Sequence, residues 1–214
     1  MNFDRLRFVA ERAEIGEGRE ALLSVIIPEK AGSFIELHNQ ILPRAITEFS
    51  YRYSSKEKAY IFLSFSLSSK SQREEELQGI ISAINLTLAK HNAKGQHTFH
   101  ALDISHNELA KSHARYLVGG RQSVANERLF RFEFPERPGA LKKFLEGLRN
   151  GWNISLFHYR FIGGDIGKIL AGFQIPQEDS ERFDAYLEEL GYRYVEETDN
   201  VVGKSYLSGV DEQV

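Results

Sequence analysis

Cysteine is absent from all 214 residues, which removes disulfides, thiolate metal sites and cysteine nucleophiles together. A reducing, cytoplasmic setting is the matching expectation. No apolar run approaches the roughly 18 residues needed to span a bilayer, and Met1 to Glu20, charged throughout, lacks the apolar segment of a signal peptide. Neither sign of charge dominates. Lys and Arg total 27 against 30 for Asp and Glu, and a net charge of −3 gives no general pull toward nucleic acid or an anionic membrane. Catalytic signatures are missing too: there is no Gly-x-Ser-x-Gly elbow, no phosphate loop followed by Lys and no Gly-x-Gly-x-x-Gly. Gly163-Gly164-x-x-Gly167 comes nearest, but it joins two strands rather than a strand to a helix and reads as a turn. Of the seven histidines, His97, His100 and His106 invite a metal reading. On an alternating strand His97 and His100 point to opposite faces, and no carboxylate or thiolate is spaced to complete a set. They read as solvated surface histidines, with no metal expected.

What is present is a core and a repeat. Apolar residues make up 42 % and aromatics 12 %, too much for a disordered chain. The stretch Phe134-Pro135-Glu136-Arg137-Pro138-Gly139-Ala140-Leu141, followed by Asn153-Ile154-Ser155-Leu156-Phe157-His158-Tyr159-Arg160, has an earlier copy. That copy is Ile27-Pro28-Glu29-Lys30-Ala31-Gly32-Ser33-Phe34, followed by Ile46-Thr47-Glu48-Phe49-Ser50-Tyr51-Arg52-Tyr53. Pro28 and Pro135 lie 107 residues apart, and the two Tyr-Arg pairs 108 apart. One unit is used twice, so two small domains are expected rather than one large one.

Each copy has the same expected plan. A β-branched run, Ala21 to Ile27, stops at Pro28, which cannot donate to a ladder. Ser33 and Glu36 form a capping box ahead of a helix carrying Phe34, Leu37 and Ile41. Ile46 to Tyr53 and Ala59 to Leu67 alternate as a hairpin, Ser71 to Lys90 keeps a helical period behind Glu74-Glu75-Glu76, and Gln96 to Leu102 reads as a last strand. The second copy repeats this from Leu129, with Gly191 as the C-cap of its second helix and Tyr192 to Glu196 as the closing strand. The order βαββαβ, twice, is an α+β, ferredoxin-like arrangement of antiparallel sheets covered by helices on one face. The expected divisions are a neck helix over 1–19, a first domain over 20–105, a linker with helical Asn107 to Val118 over 106–126, a second domain over 127–210 and a tail over 211–214.

Two features of this plan bear on function, and each has a plain alternative. A helix entry with glycine leaves backbone N–H groups open to a carboxylate; Pro138-Gly139 equally serves as a turn. Phe157, Tyr159 and Phe161 share one face at the spacing used by RNA-binding modules of the same plan, while the acidic net charge argues against RNA and simple packing accounts for the rings. An assembly domain without a ligand is the third reading.

The motif Pro-x-x-Pro-Gly-Ala-Leu followed by an Asn-Ile strand resembles the ACT family of amino-acid-binding regulatory modules. More specifically, it is similar to the paired ACT-like regulatory regions at the C-terminus of biosynthetic threonine deaminases. The residues carrying the likeness are Phe132 to Leu141, Trp152 to Arg160 and Glu197-Thr198-Asp199-Asn200, with Arg19 to Leu23, Gly32-Ser33-Phe34, Thr47 to Arg52 and Ala114 to Arg121 in the first half. The resemblance implies two ACT-like domains under feedback control, with isoleucine inhibiting and valine opposing. It also implies an upstream catalytic domain that carries pyridoxal phosphate, to which Met1 to Glu20 forms the neck and in which Met1 is internal, and assembly into a homo-oligomer. No catalytic residue and no cofactor is expected in this chain itself. The expected effector sites take backbone donors and an apolar wall from Gly32 with Phe34 and Gly139 with Leu141, cover from Tyr51 and Tyr159, and ammonium acceptors from Glu48 and Asn153. Tyr51 and Tyr159 equally fit core packing. Arg52 and Arg160 point to the opposite face and suit interfaces.

Overall fold

The computed structural model describes residues 19–68, 71–92, 99–137, 139–148, 151–160 and 166–208. The expected neck helix, His97, Pro138, Phe161 and the Gly163-Gly164-Asp165 turn lie outside the described residues.

The first half runs β1 (Glu20–Pro28), α1 (Ser33–Ile41), β2 (Ile46–Arg52), β3 (Lys58–Ser66), α2 (Arg73–Asn92) and β4 (His100–Asp103). After a linker helix α3 (Glu108–Leu117), the second half repeats the order: β5 (Glu127–Pro135), α4 (Ala140–Gly147), β6 (Asn153–Arg160), β7 (Ile166–Gln174), α5 (Ser180–Leu190) and β8 (Arg193–Glu196). A short helix, α6 (Val201–Leu207), ends the described chain. The ACT-like βαββαβ plan is present twice.

The local chemistry explains the boundaries. Strands β1 and β5 end at Pro28 and Pro135, and three residues on from each following glutamate a glycine turns the chain into a helix. Gly32 (φ 89°) and Gly139 (φ 87°) both sit in the left-handed region at the N-cap, where a side chain costs about 1–2 kcal/mol. The expected Ser33–Glu36 capping box is not formed: Gly32 occupies the cap, no side chain bonds there, and the Ser33 hydroxyl is buried in the first turn without a partner. In α3 the Asn107 side chain accepts from the Ala110 N–H at 3.0 Å, so this helix is properly capped.

The two halves are not separate sheets. Strands join in the order β4-β1-β3-β2-β6-β7-β5-β8, every neighbour antiparallel, with β2 and β6 as the seam. Across it Glu48 faces Arg160, Ser50 faces His158 and Arg52 faces Leu156. An isolated βαββαβ unit would leave β2 as an open edge; joining two such edges removes both. The helices are arranged to match, with α1 packed on α2 and on α4, and α4 on α5. One apolar core runs under all four, fed by alternate residues such as Ala21, Leu23, Val25 and Ile27 on β1 and Phe130, Phe132 and Phe134 on β5. Phe49 meets Phe157 edge-on at 5.3 Å across the seam.

The opposite residues of the same strands form a second, more polar face. Arg52, its side chain fully buried, is ion-paired with Glu127 and donates to the Leu207 carbonyl at 2.9 Å and the Gln122 carbonyl at 3.3 Å. It thereby ties the seam to the linker and to α6, an element absent from the sequence expectations.

Candidate effector sites

Each glycine-bearing helix entry stands beside a hydrogen-bonded tyrosine–glutamate pair, buried at Tyr51 and half-buried at Glu29, Tyr159 and Glu136. In the first half Tyr51, fully buried, hydrogen-bonds the Glu29 carboxylate, and the Phe34 ring lies edge-on to Tyr51 at 4.9 Å. In the second, Tyr159 donates to Glu136 Oε2 at 2.9 Å. The pairs are related by the repeat: Glu29 and Glu136 lie 107 residues apart, Tyr51 and Tyr159 108 apart.

The electrostatics are alike. Burial pushes both carboxyls above the usual carboxylate range, against the lowering pull of the tyrosine hydrogen bonds and, for Glu29, of Asn153. Burial first, then the neighbouring glutamate, holds both phenols protonated well beyond their ordinary range. Such a carboxylate, short of water, gains from a cation brought to it.

The two ends differ in what completes them. At the first, Asn153 from the other half donates through Nδ2 to Glu29 Oε1 at 2.7 Å and to Gln174 Oε1 at 3.1 Å. Its own Oδ1 is buried and unpartnered. Lys30, Ala31 and Gly32 here face Leu145, Leu148 and Trp152 across a crevice of about 10 Å³, room for roughly one water. At the second end Glu136 Oε1 is buried without a partner, and a Cβ on Gly167 would collide with it. A free carboxylate oxygen and a free amide oxygen are both acceptors, and an ammonium supplies the donors they lack.

The expected residues are therefore redistributed. Gly32, Phe34 and Tyr51 gather at one end, joined there by Asn153 from the opposite half; Gly139, Leu141 and Tyr159 belong to the other. Glu48 joins neither group. It lies on the second face and is paired with Arg115 of α3 at 3.0 Å. Arg52 is on that face too, as strand alternation requires. Glu29 and Glu136 were missed as functional residues, although the repeated Pro-Glu-basic triplet was a signal. Phe157 is buried on the helix-covered side, as is Phe49, so neither is available as a base-stacking platform. Among the described residues no group of three metal-ligating side chains forms and no helix is long and apolar enough to cross a membrane. No described lysine is buried, so these residues do not fit a Schiff-base cofactor such as pyridoxal phosphate.

Comparison with known proteins matches this arrangement. The family described as the C-terminal regulatory domain of threonine dehydratase matches residues 11–114 and 118–207. The mitochondrial threonine dehydratase of Saccharomyces cerevisiae is 52 % identical over 215 residues, covering 97 % of this chain and 35 % of that protein. The mitochondrial threonine dehydratase of Schizosaccharomyces pombe is 51 % identical over 207 residues, covering 97 % and 32 %. The biosynthetic L-threonine dehydratase IlvA of Escherichia coli is 43 % identical over 210 residues, covering 98 % and 38 %. The chain thus spans about a third of the length of these relatives. With both βαββαβ halves matched, the chain belongs to the family of C-terminal regulatory domains of threonine dehydratase.

Proposed function

We propose that this chain is the effector-sensing region of a biosynthetic threonine dehydratase, binding isoleucine as feedback inhibitor and valine as its antagonist. Residues 20–105 and 127–210 are its two ACT-like domains. The observation that carries the reading is the repeated site: a left-handed glycine at a helix start, a hydrogen-bonded Tyr–Glu pair, and a partnerless buried oxygen at each pair. Backbone N–H groups at the helix entries take the carboxylate of an amino acid. Glu29 with Asn153, and Glu136, take its ammonium; Phe34 and Leu141 wall its side chain, under Tyr51 and Tyr159. Glu48 has no part in this arrangement.

Isoleucine and valine differ by one methylene, worth about 0.8 kcal/mol of burial. Opposed effects therefore need two arrangements of the halves, each favoured by one effector. The closed crevice between Gly32 and Leu145–Trp152 supplies the second arrangement a reason, since a ligand enters only if the halves separate there. The catalytic activity, with its pyridoxal phosphate, belongs in this reading to an upstream domain of a cytoplasmic or organellar homo-oligomer.

Isothermal titration of the chain with isoleucine, valine and leucine tests the site. Saturable isoleucine binding is expected, weakened at least tenfold in Glu29→Gln or Glu136→Gln. Unchanged binding in both variants, each shown to be folded, would refute the assignment.

A further inference from the structure

The shared sheet has two outer edges, β4 and β8, and they are finished differently. On β4 the outward backbone groups are already satisfied. Asn85 of α2 donates through Nδ2 to the Ala101 carbonyl at 3.4 Å and accepts from its N–H at 2.7 Å. Asn92, further along α2, does the same for Phe99, donating at 3.0 Å and accepting at 2.7 Å. Two side-chain amides thus stand in for a neighbouring strand, and another chain finds nothing to pair with there.

Helix α5, the counterpart of α2, carries neither asparagine nor glutamine, and β8 has no such cover. The Glu197 N–H donates to the Leu129 carbonyl at 2.7 Å. Alternation along an antiparallel ladder therefore turns the N–H and C=O of Arg193 and Val195 toward β5, and those of Tyr194 and Glu196 outward. Among the described residues no side chain bonds these outward groups, and every residue of the strand is exposed. Such an edge is a template for a further strand.

The sequence of β8 matches itself. Let two copies pair antiparallel about a two-fold axis at Val195. Tyr194 then faces Glu196 of the second copy, so the outward N–H and C=O groups bond each other on both sides of the axis. Arg193 faces Glu197 of the second copy, an opposite-charge pair on the second face of the sheet. The Arg193 side chain is 80 % exposed and held only at 3.4 Å by Glu133. Glu197 accepts from Arg131 at 3.1 Å and from Asn200 at 2.7 Å, and a carboxylate has acceptor sites for one donor more. A slip that sets Tyr194 against Tyr194 puts Arg193 opposite Val195 and loses the charge pair.

We propose that β8 is a self-association edge, where two copies of this chain pair about Val195 and make one continuous sheet from two. The contact is small, weak by itself and strengthened wherever two copies are already held together. Tyr192, just before β8, donates to the Ala140 carbonyl at 3.2 Å in the first turn of α4. Pairing therefore links the Gly139 ends of two copies. It gives the homo-oligomer proposed above a surface and rests on that reading only in this respect.

The absence of cysteine makes the test direct. In Val195→Cys the two thiols meet at a non-hydrogen-bonded position, with Cα atoms about 4.5 Å apart and within disulfide reach. In Arg193→Cys they stand roughly 14 Å apart along the strands, beyond that reach. Mild oxidation of the full chain is expected to link Val195→Cys at least tenfold faster than Arg193→Cys. Sedimentation velocity over a concentration series should show a reversible dimer of the unsubstituted chain. Arg193→Glu, a change at an exposed site that sets like charges against Glu197, should weaken this dimer at least tenfold. A chain that stays monomeric at millimolar concentration, equal linking at both positions, or association unchanged in Arg193→Glu would each overturn the pairing. So would protection of the β8 amides by another domain while the chain itself stays monomeric. Isoleucine titration of the same samples separates the two readings, since a monomer that binds isoleucine overturns the edge alone.

Discussion

Glu136 shows how a single side chain can be set against the fold's own stability. Burial raises its pKa above that of the unfolded chain, so the folded protein holds this proton more firmly than the unfolded one. Stability is then lost as pH rises from about 4.5 through the raised folded value. Once ionised, the carboxylate is a liability that an incoming ammonium removes. Two outcomes follow for Glu136→Gln at pH 7: the thermal midpoint of the ligand-free chain stays level or rises, and isoleucine binding at this end is lost. For the unsubstituted chain, calorimetry should show isoleucine affinity falling as pH drops through the raised Glu136 pKa. Gly32 makes the contrasting case, since its φ of 89° is needed by the backbone alone. Gly32→Ala should lower stability by about 1–2 kcal/mol in urea unfolding, because nothing near the added Cβ compensates.

What the sequence revealed at this scale followed strand periodicity, and so did one oversight. The alternation that puts Arg52 opposite Tyr51 puts Glu48 there as well, since both are an odd number of positions away. The residues joining the sites from elsewhere were a different matter. Asn153 reaches Glu29 only because the two halves share a sheet, and no spacing within one repeat encodes that. Glu29 and Glu136 drew no role from the sequence, and only the packed tyrosines show them to be desolvated.

Among the elements, the α1–α4 contact holds the two halves together above the seam, and a histidine is buried in it. His38 of α1 is 5 % exposed, with Nδ1 unpartnered. Burial first, then the charge of Lys142 on α4, lowers its pKa, with Glu146 partly opposing. His158 on β6 is lowered in the same sense, by burial and by Arg52. A lowered folded pKa means that the unfolded chain takes up the proton first, so stability is fully present above about pH 6.5 and is lost as pH falls toward the folded value. This loss opposes the stability that the raised Glu29 and Glu136 carboxyls gain with acidity, so it is read by difference. Relative to the unsubstituted chain, His38→Leu, close in volume and needing no partner, should gain in urea midpoint as pH falls from 7.5 through 6.5 to 5.5. The strands and the four covering helices were legible from alternation, proline stops and the helical period. Helix α6 was not: at seven residues it shows too little periodicity, and its one signal is Asn200, whose side chain accepts from the Val202 N–H at 2.9 Å.

For the whole molecule, the shared sheet makes two repeats into one cooperative body. Arg52 is the side chain most dependent on that union, since its partners lie on β5, the linker and α6. Arg52→Met should cost about 3–5 kcal/mol, as expected when one member of a buried ion pair is removed and Glu127 is left behind. Hydrogen exchange in residues 201–207 should speed up in the same variant, and unfolding should remain a single transition because the core is continuous across the seam. The repeat in the sequence foretold the two units but not their fusion. The hint lay in β2, whose residues on both faces are unsuited to an open edge: Phe49 and Tyr51 on one side, Ser50 and Arg52 on the other, with no lysine or proline to protect it.

The same union makes the single tryptophan a reporter of effector binding. Trp152 is 1 % exposed, edge-on to Phe183 at 4.9 Å, donates to Asp179 Oδ2 at 3.2 Å and is covered by the Arg182 guanidinium at 5.0 Å. It precedes Asn153 and lines the crevice opposite Gly32. Since that crevice admits little more than a water, isoleucine seated against Gly32 and Glu29 must move the wall that Trp152 belongs to. A saturable change in tryptophan emission is expected on adding isoleucine, with a midpoint matching calorimetry, and it should disappear in Glu29→Gln while Glu136→Gln retains it. If calorimetry shows isoleucine saturating while the emission stays unchanged, the ligand occupies the Gly139 end alone, and the crevice between the halves is not its entry.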